Sequence, residues 1–521
     1  MRRPLVVLAA LCLASHAAAQ STRDWRPEDR TVIGDFSRIT AIATSAERVF
    51  ISSPTALLIW NPQFRRWEGA FDPPDRTLLA RVFTALTDPL DNSVWLARPD
   101  GWVHYQPDID LWDQGIAPEG IVGIAFDQDD LAAGLFLRTR RGWQLLPRGG
   151  AVPIPGRAPA RPQMPATAEQ AIRDNPTLQA NAAAILTDSR LRTVRYTAAA
   201  RAFDNSGWYL GTSGIGALYL ADGAALPQRL SFGLSSDAVG AVFSWPGGVW
   251  VATNRTPQAD AAFTFVDPEL EEFETIPGPS ALGTPFNQAR ELVGQGKALW
   301  AATDLGVARV EPPEGRIQLI DYHGGLPDSR VYSVVSRQGR ITAGTARGLV
   351  RISDSLEVER LAPAFSDPVY AVLPAGDSVW VGSTAGLLLA LPGRATLVRP
   401  EALASPSLQS PVMDLAALGD TLVALTRDQL LWQNPKTGRW TLGPNLSALL
   451  GRLRRFVADG PGFWVAGDRG LGYARLSTPP LRQLREGDLP GTVNDLAVDE
   501  DYLWVATDGG LVRFRLEILR P

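Results

Sequence analysis

The sequence predicts an all-β fold, a β-propeller built from about 11 four-stranded blade repeats. Three observations predict it. The phrase Leu503-Trp-Val-Ala-Thr-Asp-Gly-Gly-Leu-Val-Arg-Phe514 recurs in variant form at residues 299–310, 379–390 and 463–474. A large residue also returns roughly every 40 residues, the period of a blade made of short strands. It stands at Phe50, Trp95, Leu131, Tyr209, Trp250, Trp300, Ile341, Trp380, Leu422, Trp464 and Trp504. Finally, a glycine precedes the third strand of the repeat at Gly306, Gly348, Gly386, Gly470 and Gly510. A tight hairpin needs positive φ at that position, and glycine adopts it without a Cβ clash.

One repeat shows the pattern. Residues 331–336 are short and β-branched, and Gln338-Gly339 marks a turn. Residues 340–345 form a second strand, 349–352 a third, and 356–361 alternate as a polar fourth. The large residue in the second strand is expected to fill the gap between twisted neighbouring sheets. That role makes the tryptophans packing residues first and not a sugar-stacking row.

The last repeat stops after its third strand, near residue 519. The segment around Trp25 resembles a fourth strand and is followed by a first-strand segment, residues 39–43. It is expected to pair with residues 511–519, which would close a ring and remove two exposed edges. Eleven repeats exceed the usual blade number, so two rings are expected. The seven repeats from Trp250 to Trp504 would form one, and the four earlier ones a small or incomplete one. A single unusually large ring is the alternative.

Residues 148–195 break the period. Ala151 to Pro165 is rich in proline and alanine and reads as an extended linker. Thr167-Ala-Glu-Gln170 resembles a capping box, with helices expected over 168–174 and 177–187. The insertion reads as loop decoration, or as a lid or docking element whose deletion over 156–190 would leave the fold intact but abolish partner capture. Residues 233–521 are the most regular part of the chain.

Residues 1–20 read as a cleaved secretory signal peptide: Arg2 and Arg3, an apolar run from Leu5 to Leu13, and Ala17-Ala18-Ala19 before Gln20. The expected location is periplasmic or extracellular, with the mature chain at 21–521. Cleavage removes the only cysteine, Cys12, so no disulfide or thiolate ligand is expected. Losing two arginines takes the formal charge from -5 to -7, which argues against a nucleic-acid partner. No later apolar run is long enough to suggest stable membrane insertion.

No catalytic motif and no metal or cofactor site is expected. His104 and His323 are too far apart in sequence to suggest a zinc site or a Ser–His–acid triad. Gly211-Thr-Ser-Gly-Ile-Gly216 has its second glycine one place early for a nucleophile elbow. The acidic runs 127–130 and 499–501 read as hairpin tips. A ligand is expected on the rim shared by the entry loops and the second-to-third-strand hairpins. The candidate residues there are His323, Asp328 and Arg330 on the entry loops, and Asp304, Arg347, Asp468, Arg469 and Asp508 on the hairpins.

Residues 320–334 contain a Gly-Gly-Leu-Pro turn before a first strand, followed by the strand 340–345. Residues 489–496 with 503–507 repeat the pattern. These phrases resemble the two-component regulator propeller repeat. That resemblance implies exported propellers of the kind found in periplasmic sensors that bind glycans. Related propellers resemble accessory parts of secretion systems. No membrane helix or kinase follows the last repeat, so a sensor acting alone is not expected. The expected function is an exported, non-catalytic scaffold or sensor-like module for a protein partner or extracellular glycan. The alternative is a propeller-type carbohydrate-active enzyme, a lyase or glycosidase, with acidic groups converging at the channel mouth.

Overall fold

The computed structural model describes residues 25–520 apart from 27–28, 74, 278–285, 314, 400–408 and 477. The expected signal peptide lies outside the described residues. Eleven antiparallel sheets follow one another along the chain, here numbered as blades 1 to 11. Blades 1 to 4 occupy residues 41–71, 84–116, 121–147 and 196–230. Blades 5 to 8 occupy 239–277, 289–320, 331–361 and 369–390. Blades 9 to 11 occupy 412–445, 453–485 and 493–515. Blade 8 shows three strands, with a bridge from Leu389 to Val398 where a fourth would begin.

The expected terminal closure is present, displaced along the sequence. Arg30–Ile33 pairs antiparallel with the last strand of blade 11, Arg30 opposite Phe514 and Ile33 opposite Leu511. Thr31, Val32 and Ile33 are β-branched, and strand pairing favours such residues. Trp25 packs edge-on to Phe514 with ring centroids 6.0 Å apart. After Arg515 the chain turns into a short helix, Leu516–Leu519, so the pairing ends before the expected residue 519.

Blades 5 to 11 form a closed ring of seven. The innermost strand of each packs on that of the next, and Val493–Val498 of blade 11 packs back on Val239–Trp245 of blade 5. The tryptophans sit between blades, as expected. Trp250 shares a buried cluster with Leu299 of blade 6, Trp300 with Ile341 of blade 7, Trp464 with Val505 of blade 11, and Trp504 with Val249 of blade 5. Trp464 and Trp504 are fully buried, and their Nε1–H groups donate to Asp459 and Asp499 at 3.0 and 2.6 Å. Asp499 also accepts the amides of Asp501 and Tyr502, so its acidic run organises a hairpin.

Blades 4, 1, 2 and 3 form an arc in that spatial order. No comparable packing joins the inner strands of blades 3 and 4. The insertion fills that place. Pro162–Gln163 adds a short strand to blade 3 opposite Phe126 and Asp127. The Asp127 carboxylate accepts the amides of Ala160 and Arg161 at 2.7 and 3.0 Å. Helix Ala168–Asp174 begins as expected, with Thr167 accepting the Gln170 amide at 3.2 Å. The second expected helix is broken at Asn181 into Pro176–Ala180 and Ala182–Ile185. Ala171, Leu178 and Leu186 bury the face of blade 4 formed by Ala199, Trp208, Leu210 and Leu218. The insertion therefore replaces a neighbouring blade. Deleting it would expose that apolar face, contrary to the expectation that the fold would survive.

The residue ruler needs three corrections. Opposite the fifth residue of the first strand, where Trp250, Trp300, Trp380, Trp464 and Trp504 stand, blades 7 and 9 have Thr342 and Val423, so Ile341 and Leu422 are one place early and face the other way. Leu131 lies in the turn before the second strand of blade 3, which spans Gly134–Thr139. Phe136 holds the equivalent position, directly opposite Leu145 of the next strand.

A repeated hydroxyl explains the Thr or Ser that ends the second strand in six of the seven ring blades, blade 10 ending in Gly467 instead. Thr303, Thr345, Ser383 and Thr507 each donate across the hairpin to the carbonyl of the glycine three residues on, at 2.6, 2.8, 3.1 and 2.6 Å. The glycines take positive φ there, +125° at Gly470. A Cβ on Gly470 would stand 2.1 Å from the Leu484 carbonyl oxygen. Gly376 also has positive φ, but a Cβ there would meet nothing within 4 Å. Gly470→Ala is therefore expected to cost about 2 kcal/mol or more, and Gly376→Ala about 1 kcal/mol. Urea denaturation of the two variants checks the order.

Candidate functional site

The ring channel is lined by the first strands of blades 5 to 11. Each carries a register irregularity at the same place, between the first and third residues. A bulge of this kind re-aims side chains and interrupts the ladder. The third residues are Ala241, Glu291, Ser333, Ala371, Asp414, Arg455 and Asp495.

Three of these are carboxylates that bolt one inner strand to another. Asp495 accepts the amide of Val242 at 3.0 Å, joining blade 11 to blade 5. Glu291 accepts the amide of Val334 at 2.9 Å, joining blade 6 to blade 7. Asp414 accepts the amide of Phe456 at 3.1 Å, joining blade 9 to blade 10. The inner edge of a blade has no further strand to receive such amides, and an unpaired buried amide is costly. Arg455 crosses the channel to donate to the Arg290 carbonyl at 2.8 Å, and lies 3.8 Å from Asp414.

Burial shapes the titration of this cluster. It pushes Glu291 up to about 8, with Asp414 and Asp495 adding repulsion and Arg455 opposing. Burial likewise pushes Asp495 up to about 6 and raises Asp414, again against Arg455. Arg455 stays charged, because the three acids outweigh its desolvation.

The second residues of the same strands stand at the bulges. Arg290, Tyr332 and Tyr370 are consecutive around the ring, on blades 6, 7 and 8. The Arg290 guanidinium lies 5.0 Å from the Tyr332 ring centroid, and Tyr332 meets Tyr370 edge-on at 5.3 Å. All three are half-buried. The Arg290 Nε is buried without a hydrogen-bond partner. Its Nη2 reaches Gln288 at 3.3 Å.

The two loop sets do share a rim. The hairpin amides of Asp304, Ala346, Asp468 and Asp508 donate to the entry-loop carbonyls of Gln288, Arg330, Arg452 and Thr492 in their own blades. The structure places His323, Asp328, Arg330, Asp304 and Arg347 around blades 6 and 7, the sector of Arg290 and Tyr332. Asp468, Arg469 and Asp508 lie on blades 10 and 11. Asp304 accepts the amides of Asn287 and Gln288 at 2.8 and 2.9 Å, so it organises its own loop. Asp328 pairs with Arg330 at 3.2 Å, Asp468 with Arg454 at 2.7 Å, and Asp508 accepts from Asn494 at 2.8 Å. His323 and Arg347 are exposed. His104 is buried elsewhere, stacked on Trp95 at 3.9 Å with Nε2 2.7 Å from Ser93 Oγ.

Sequence reasoning missed the channel residues, since a single charged residue in a strand carries no motif. Aligning the first strands on their bulges would have exposed them: an acid or arginine recurs at the third position in blades 6, 9, 10 and 11. Among the described residues no group of three or more His, Cys, Asp or Glu is arranged to hold a metal ion. No helix among them is long and apolar enough to cross a membrane.

The channel acids give stability a definite pH dependence. The unfolded chain ionises Glu291 near the ordinary glutamate value, the folded chain only near 8. Stability from this group is full below the ordinary range and is lost as pH rises toward 8. Melting temperature should fall between about pH 5 and about pH 8.5, and Glu291→Gln should reduce that fall. Calorimetric melts at constant ionic strength check this.

No family model and no curated protein matches the chain. Among solved structures it is similar to PorZ, a surface component of the type-IX secretion system of Porphyromonas gingivalis. That match has 12% identity, covers 92% of this chain and 69% of that one, and has a TM-score of 0.45. It is similar to the extracellular domain of a one-component system from B. thetaiotaomicron, at 13% identity, 92% and 69% coverage and a TM-score of 0.42. It is also similar to virginiamycin B lyase from Staphylococcus aureus, at 12% identity, with 54% of this chain covering 97% of that one and a TM-score of 0.45. Likenesses at this level concern architecture and say nothing of ligand or chemistry.

Proposed function

We propose that this chain is an exported, non-catalytic β-propeller module that binds a protein partner or an extracellular glycan at the mouth of its seven-bladed ring. One observation carries the reading. Arg290, Tyr332 and Tyr370 form a half-buried cation–aromatic platform on rigid strands, with the Arg290 Nε lacking a partner. Aromatic faces and guanidinium groups are the side chains that dominate recognition surfaces. Exposed His323 and Arg347 and the Asp328–Arg330 pair lie on rim loops of blades 6 and 7, which carry Arg290 and Tyr332. The acids beneath it are engaged with backbone amides and with Arg455, which supports a structural role for them.

A second reading rests on Glu291. Its carboxyl is held largely protonated at neutral pH, one residue from Arg290, and a protonated acid near a binding platform suits a lyase or glycosidase. Polysaccharide turnover that is abolished in Glu291→Gln would favour it.

The binding reading is tested on a glycan array and by in-cell cross-linking of the mature protein. Changing Arg290, Tyr332 and Tyr370 together to alanine should lower the affinity for whatever is captured at least tenfold, about 1.4 kcal/mol, with little change in melting temperature. Undiminished capture by the folded triple variant would place the binding surface elsewhere.

A further inference from the structure

A cavity of about 700 Å³ lies at the seam between the arc and the ring. This is the size of a small-molecule site. Its walls come from parts of the chain far apart in sequence. Asp35 and Phe36 come from the link between the closing strand and blade 1, and Arg229 and Phe232 from the end of blade 4 and the chain after it. Ile185 comes from the insertion and Ala261 from blade 5.

One wall is aromatic. Phe232 stacks on Phe36 at 5.8 Å and packs on Trp67 and Phe273 at 4.7 and 4.6 Å. The other charged groups at the rim of the cavity are held. Arg190 pairs with Asp260 at 2.6 Å and donates to the Thr256 carbonyl at 3.2 Å, and Arg192 pairs with Asp188 at 2.7 Å. The Arg190 bonds also clamp the insertion to blade 5.

Arg229 differs. Its guanidinium makes no side-chain hydrogen bond and no ion pair among the described residues. Arg229 is exposed to solvent where it lines the cavity, yet protein packed around its guanidinium lowers its pKa, and Asp35 is the carboxylate that acts on it electrostatically. Asp35 itself accepts the Ser37 amide at 2.8 Å, and burial raises its pKa. A partly desolvated guanidinium with five donors and no acceptor favours a planar, bidentate anion. One guanidinium attracts a dianion only in proportion to its charge, while the cost of taking the ion out of water grows with the square of that charge, so an apolar-walled cavity favours carboxylate over phosphate.

We propose that this cavity binds an apolar carboxylate, its head on Arg229 and its aliphatic or aromatic body along Phe36, Phe232 and Phe273. This site is separate from the ring mouth. A bound ligand would touch blades 1, 4 and 5 and the insertion together, and so would stabilise the seam.

Titration calorimetry of the mature chain with decanoate, decanol and decyl phosphate tests it. Decanoate should bind at one site, at least about tenfold tighter than decanol or decyl phosphate. Arg229→Ala should bring decanoate down to the level of decanol, and Arg229→Lys should fall between. Arg229→Gln, which keeps the polar stem, guards against loss of folding in the alanine variant. The Arg290, Tyr332 and Tyr370 alanine variant should bind decanoate as the parent does. Equal binding of decanoate and decanol, tighter binding of decyl phosphate, undiminished binding in folded Arg229→Ala, or no binding by any probe would overturn the proposal.

Discussion

The pairing of Arg30–Ile33 with the last strand of blade 11 is the interaction on which the rest of the molecule depends. A ring of blades is stable only if its last interface matches its first, and here the last blade borrows its outer strand from the other end of the chain. The same strand sets the position of the arc. Immediately after Ile33, the Gly34 carbonyl accepts the Leu234 amide, and the Ser37 carbonyl accepts the Gly216 amide. Ile33, Phe36 and Ile39 then join one core with Trp67 of blade 1, Tyr209 of blade 4, Val249 of blade 5 and Trp504 of blade 11. Ring closure and the joining of the two halves are thus one event. Pulling the strand away would expose the free edge of blade 11 and open the seam that contains the Arg229 cavity.

Inside the ring, the physical problem is different. Inner strands have no neighbour toward the channel, so their amides need acceptors that the ladder does not provide. Glu291, Asp414 and Asp495 supply them from another blade, and Arg455 balances the charge that accumulates. Buried ionic groups contribute little net stability but can fix geometry. Glu291 and Arg455 hold the strands that carry Arg290 and Tyr332, which gives that side of the mouth a defined shape.

Much of this architecture was legible in the sequence because it rests on local chemistry. The glycine before each third strand reports a backbone angle, and Gly306, Gly348, Gly386, Gly470 and Gly510 all take positive φ. Trp300, Trp464 and Trp504 report an inter-blade gap of fixed size. What failed depended on contacts distant in sequence. Trp25 drew attention away from the β-branched run Thr31-Val32-Ile33, although Trp25 does pack on the blade that the run completes. The insertion looked like decoration because nothing local shows that blade 4 lacks a neighbour on one face. The apolar side chain of Leu131 fits the period of the second strands, yet it lies in the preceding turn. At the candidate site the rim loops were legible from hairpin residues, while the Arg290, Tyr332 and Tyr370 platform and the channel acids emerge only when seven strands are superposed on their bulges.

The most direct test of ring closure is a cross-link in its register. Thr31 stands directly opposite Arg513, and facing residues of an antiparallel pair fall within the span that a disulfide bridges. In residues 21–521, which contain no cysteine, Thr31→Cys with Arg513→Cys should oxidise to an intramolecular disulfide in the native state and raise the melting temperature. A folded double variant whose two thiols stay free under oxidising conditions would contradict the closure, and with it the joining of the two halves.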